Sequence, residues 1–146
     1  MWKQSTAMLA LLAIGGCASN DTGDGARMTV VEPSRTELAA AAARAQYPAT
    51  MPAKEAHHAF ALVNSGKGYI KIYNMGAEPI TDAKVWVNGA FMQHVSGIGP
   101  KSSAIVRFAD LYNSLGKNFN SLGEPVSQVQ IETNGQLLTL QGPASD

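Results

Sequence analysis

From residue 58 onward, apolar and polar positions alternate in short runs separated by turn residues. Ala59–Val63 is apolar and ends at the glycine-rich turn Asn64-Ser65-Gly66-Lys67-Gly68. Tyr69–Tyr73 sets Ile70 and Ile72 on one face against Tyr69, Lys71 and Tyr73 on the other. Such a period of two is the signature of a half-buried strand. Ala83–Val87 alternates in the same way, with Trp86 expected in a core. The following Asn88-Gly89 is a type I′ hairpin signal, and Ala90–Val95 is the return strand. Gly97-Ile98-Gly99-Pro100 turns the chain into Ser102–Phe108, where Ala104, Val106 and Phe108 oppose Ser103, Ile105 and Arg107. After a long loop, Ala109–Pro125, the run Val126–Thr133 places Val129 and Ile131 opposite Gln128, Gln130 and Glu132. Asn134-Gly135 is a second hairpin signal, and Gln136–Gln141 closes the set.

About seven strands with turns every eight to twelve residues predict a mainly β domain over residues 58–146, an antiparallel sandwich. Each run has one polar face, which disfavours a buried parallel sheet. The pattern resembles the small immunoglobulin-like and fibronectin-III-like modules of envelope proteins, without the cysteine pair of antibody domains. A small up-and-down barrel is the competing fold. Eight of the ten aromatic residues fall in this region, leaving only Trp2 and Tyr47 outside it.

Upstream, the period changes. Ser34 and Glu37 have capping-box spacing, and Leu38–Ala45 consists of alanine apart from Leu38 and Arg44. A helix over about 35–46 follows, stopped by Pro48. With Leu38 its only large apolar residue, it is expected to be exposed. Residues 17–57 therefore read as a tether carrying one short helix, with Pro48, Pro52, Lys54 and Glu55 as its last part. Met28-Thr29-Val30-Val31 has the composition of an additional strand. Ala18–Gly25 has no large apolar side chain with which to offset its ordering entropy.

The first residues are of another kind. Lys3 is the only charge before Asp21, and Ala7–Ile14 is an uninterrupted apolar run. A helix of eight residues spans about 12 Å, too short for a hydrocarbon core of about 30 Å. A positive start, a brief apolar core and small residues at its end mark a secretion signal over residues 1–16. It runs directly into the chain's only cysteine as Ile14-Gly15-Gly16-Cys17. This motif resembles the lipobox of bacterial lipoproteins. The resemblance implies a diacylglyceryl group on the Cys17 thiol, cleavage before Cys17 and acylation of the new amino group. It implies a membrane partner reached through that lipid, since two or more acyl chains anchor stably. Ala18 and Ser19, rather than an aspartate, follow the cysteine. In a bacterium with two membranes this implies sorting to the outer membrane, facing the periplasm.

Composition removes several function classes. Eleven basic and eleven acidic residues give no net charge, and loss of Lys3 with the signal leaves 10 − 11 = −1. A nucleic-acid partner is thereby disfavoured. One cysteine closes no internal disulfide and builds no multi-cysteine metal site. His57, His58 and His94 are the only histidines, and His57 and His58 are neighbours whose side chains diverge on an extended strand. Neither a metal centre nor another cofactor is expected. Glu78, Asp82, Asp110, Glu124 and Glu132 form no pair spaced for acid–base work, and no Gly-x-Ser-x-Gly elbow occurs. The Asn64–Gly68 turn lacks the spacing of a phosphate-binding loop. No catalytic residue is assigned, and the chain reads as a non-enzyme.

The loop Ala109–Pro125 holds the remaining candidates. Tyr112, Asn113, Asn118 and Phe119 mix ring faces with amides, as sugar and peptide sites do. The competing expectation is that Leu111, Leu115 and Phe119 plug one end of the fold. Two functions follow: an anchored binding or structural module contacting envelope protein or polysaccharide, or an accessory subunit of an envelope enzyme or transport complex.

Overall fold

A computed structural model describes residues 32–142. The signal segment, Cys17 and Met28–Val31 lie outside the described residues. Helix α1, Arg35–Arg44, begins as its sequence demands. Ser34 Oγ accepts from the Glu37 amide at 3.3 Å, and the Ser34 amide donates to Glu37 Oε2 at 2.7 Å. These bonds to Ser34 hold the Glu37 carboxyl below the usual carboxylate range. A lowered pKa means the contribution is present above the ordinary glutamate pKa and is lost as pH falls through the folded value.

Eight strands follow: β1 Ala53–Asn64, β2 Tyr69–Asn74, β3 Ile80–Val87, β4 Phe91–Ile98, β5 Ser102–Arg107, β6 Tyr112–Asn113, β7 Val129–Thr133 and β8 Gln136–Gln141. The domain is mainly β, with eight strands where about seven were expected; the Val126–Thr133 run becomes strand only from Val129, and Phe108 leaves β5 for a 3-10 turn. The arrangement differs from the expected sandwich. All eight strands hydrogen bond into one sheet of order β5-β2-β1-β8-β7-β3-β4-β6. The sheet is mixed, because β1 and β8 run parallel while every other pair is antiparallel. Nor is it an up-and-down barrel, since β5 pairs with β2, β7 with β3 and β4 with β6, strands that are not consecutive in sequence. The sheet curls on itself, so one face encloses a core.

That inner face collects the apolar member of each alternation. Ala61 and Val63 of β1, Ile70 and Ile72 of β2, Val85 and Val87 of β3, Val106 of β5 and Ile131 of β7 are all buried together. Both Asn-Gly turns take the φ > 0 that type I′ geometry requires, at Asn88 (54°) and Gly89 (64°), and at Asn134 (48°) and Gly135 (68°).

The boundary near residue 57 moves. β1 starts at Ala53, and Glu32 onward forms one compact unit. Helix α1 packs on the outer face of the sheet instead of standing free. Ala42 is buried with Trp86, Met92, Tyr112 and Leu137, flanked by Leu38, Ala39 and Ala45. Leu38, Ala42 and Ala45 lie along one helical stripe, and the small alanine side chains let the backbone approach the sheet closely. Trp86 is buried as expected, although it lies in this outer layer and not with Val85 and Val87.

Asn74, at the end of β2, ties two turns together. Its buried Nδ2 donates to the carbonyls of Glu78 (2.8 Å), Ile98 (3.1 Å) and Gly99 (3.2 Å). Its Oδ1 accepts from the Gly76 amide at 2.9 Å. Asn74→Ala strands these carbonyls, and we expect a loss of about 2 kcal/mol, measured by urea unfolding. An unchanged midpoint overturns this role.

Candidate functional site

The expected binding loop is committed to structure. Phe119 is 2% exposed and meets Phe91 and Phe108 edge to face, with ring centroids 5.0 Å apart in both cases. Tyr112 is buried against the α1 layer and pairs with Met92 through β6. Asn113 Oδ1 accepts from the amides of Leu115 (3.0 Å) and Lys117 (2.9 Å). Asn118 Oδ1 caps the four-residue helix α2, Phe119–Leu122, by accepting from the Asn120 amide at 3.0 Å. Its Nδ2 donates to Ala109 O at 2.8 Å and Leu111 O at 3.1 Å. The amides expected to recognise a ligand thus hold the loop, and the rings expected to stack on one are packed inside. Leu111 and Phe119 plug the fold, whereas Leu115 is 79% exposed and does not take part.

The histidines and carboxylates divide among separate places. His94 faces Lys84 across β3 and β4, and its Nε2 lies 2.6 Å from Asp82 Oδ1 at the surface. Glu132 joins Lys84 at 2.9 Å and accepts from Trp86 Nε1 at 3.0 Å. Tyr47 extends this outer-face network, donating through its hydroxyl to Gln130 Oε1 at 2.7 Å. Gln130, expected on a solvated face, is buried, its amide held between the Tyr47 hydroxyl and Thr139 Oγ1. Among the described residues no three His, Cys, Asp or Glu side chains are grouped to hold a metal ion.

His57 and His58 stand elsewhere, on a lapse in the sheet. β1 pairs with β8 through Glu55↔Thr139, then only again through Phe60↔Gln141. Five residues on β1 therefore advance against two on β8, and the chain bulges through Ala56–Ala59. Next to this bulge, the turn between β2 and β3 bends away after Met75, whose amide donates to His58 O at 2.7 Å. Gly76 lets that turn approach, since a Cβ there would lie 3.1 Å from Asn74 Oδ1 and 3.5 Å from His58 Cβ. Between bulge and turn lies a cleft of about 670 Å³. Ala56, Ala59, Ile80 and Leu138 form its floor; Lys54, Glu55, His57, His58 and Glu78 stand at its rim. Its volume lies within the range of about 300–1,000 Å³ usual for ligand sites.

No family model, curated protein or solved structure matches this chain. The site's meaning therefore rests on its own chemistry. Its lining combines cationic, imidazole and carboxylate groups with aliphatic side chains and the buried amide of Asn74. The sequence singled out both histidines, but as edge residues. Asn74 and Gly76 read from the sequence only as part of the break after the Tyr69–Tyr73 run, because their work is set by a turn in space, and the lapse in β1–β8 pairing has no local signature.

Proposed function

We propose that this protein is a lipid-anchored component of a bacterial envelope whose β domain is a non-catalytic binding module, with the cleft beside His57 and His58 as its ligand site. The observation that carries the anchor is Ile14-Gly15-Gly16-Cys17, where the only cysteine of the chain follows the short apolar run and two glycines. In a bacterium with two membranes, Ala18 and Ser19 place it at the outer membrane, facing the periplasm. The cleft supports the binding role, since it joins an open apolar floor to a polar rim.

Growth of the source bacterium with an alkyne-bearing fatty acid tests the anchor. The wild-type chain is expected to take up label, to begin at Cys17 by mass spectrometry and to sediment with membranes. Cys17→Ala, with no thiol to form the thioether to the diacylglyceryl group, is expected to lose the label completely and no longer to begin at residue 17. An unmodified Cys17, or equal labelling of the variant, overturns the proposal.

A further inference from the structure

The chemistry of the cleft narrows what it holds. Most of its lining is aliphatic, from Ala56, Ala59, Pro79, Ile80 and Leu138, and the buried amide of Asn74 beside them is already bonded to backbone groups. No phenylalanine, tyrosine or tryptophan lines it, and its only rings are the imidazoles of His57 and His58 at the rim, so it lacks the broad apolar ring face on which sugars and nucleobases are usually stacked. An alkyl chain needs none, and gains about 0.8 kcal/mol for each CH₂ taken from water.

The rim separates its charges. Lys54, His57 and His58 supply nitrogen donors along β1, whereas Glu78 supplies a carboxylate from the facing turn. Glu55 also stands on β1, but its Oε2 accepts from Gln141 Nε2 at 3.0 Å and is partly satisfied. A purely anionic head would leave Glu78 facing a like charge. A purely cationic head would do the same for Lys54. A head carrying a phosphate and an ammonium group matches both walls.

Resting on the binding-module reading above, though not on lipidation of Cys17, we infer that the cleft binds a single-chain zwitterionic phospholipid, a lysophospholipid with an ethanolamine head. Its chain lies on the aliphatic floor, its phosphate meets Lys54 and the histidines, and its ammonium meets Glu78.

The test uses the full chain carrying Cys17→Ala, purified without detergent. Isothermal titration employs lauroyl lysophosphatidylethanolamine below its micelle concentration, with laurate and dodecylamine as probes of single charge. The lysophospholipid is expected to bind more tightly than either, by about threefold to fivefold, the worth of one exposed charge pairing. Ala56→Trp fills the floor and is expected to abolish binding of all three. Glu78→Gln, at an exposed position that the fold does not need, is expected to weaken the lysophospholipid about threefold to fivefold and leave laurate unweakened. Lys54→Gln is expected to weaken the lysophospholipid and leave dodecylamine unweakened. No binding of the lysophospholipid, equal affinity for the three probes, or a Glu78→Gln variant that binds it as the wild type does overturns the inference. Absence of fatty-acid label on Cys17 alongside intact lysophospholipid binding would instead sink the anchor alone.

Discussion

Phe119→Ala is expected to destabilise the domain by about 3–5 kcal/mol, the usual cost of emptying a buried aromatic site. For a unit of this size that corresponds to a fall in Tm on the order of 10–20 °C. The cost has three sources. Phe119 is almost wholly buried, so its transfer from water is lost. Its edge-to-face contacts with Phe91 and Phe108 are lost as well. The cavity cannot collapse easily, because α2 is pinned by Asn118, whose side chain bonds to Asn120, Ala109 and Leu111. Leu115→Ala, in the same loop but exposed, is the control and should leave Tm within about a degree, as surface substitutions do. Thermal unfolding followed by circular dichroism reads both. A Phe119→Ala variant as stable as the wild type would show that the loop is not the plug.

The inner face of this sheet was legible because its rule is local. Each of β2, β3, β5 and β7 alternates, and the apolar member of each pair turned inward. Turn chemistry was equally plain: Asn88-Gly89 and Asn134-Gly135 are where φ > 0 is needed. What stayed hidden depends on contacts distant in sequence. Parallel pairing of β1 with β8 joins residues more than eighty positions apart, such as Ala53 and Leu137, and no alternation distinguishes it from antiparallel pairing. The Ala-rich helix looked exposed because alanine reads as neutral. Its stripe is read correctly only when Trp86, Met92 and Tyr112 are found beneath it. The nominally solvated Gln130 is likewise buried, beneath a Tyr47 hydroxyl bond that no local pattern announces.

The candidate site shows the limit from the other side. Tyr112, Asn113, Asn118 and Phe119 have the composition of a recognition loop, yet a long irregular segment spends the same residues on satisfying its own backbone. Side-chain amides are as good at capping turns as at holding ligands. Composition alone does not separate the two uses; burial and hydrogen-bond partners do. His57 and His58 carried a weaker signal and mark the more open site, because a lapse in strand pairing leaves their neighbourhood uncovered.

Trp86→Ala is expected to cost about 3–5 kcal/mol and to loosen α1 as well as the sheet. The indole is the joint between them. It is 2% exposed, lies edge to face with Tyr47 at 5.5 Å between centroids, and donates from Nε1 to Glu132 Oε2 at 3.0 Å. Removing it takes away the surface on which Ala42 rests and leaves the Glu132 carboxylate dependent on Lys84. If α1 is held through this one layer, breaking the layer twice costs little more than breaking it once. Ala42→Asp should therefore destabilise the wild type by about 1–3 kcal/mol, by placing an unpaired charge in the layer, and should cost markedly less in the Trp86→Ala background. The coupling is expected to be about 1 kcal/mol or more, as for residues in direct contact. Strict additivity in a double-mutant cycle, measured by urea unfolding, would mean that α1 is held independently of Trp86. Hydrogen exchange gives a second readout: the amides of Leu38–Ala45 should lose protection in Trp86→Ala while those of β2 keep theirs, because Ile70 and Ile72 of β2 are buried in the inner core.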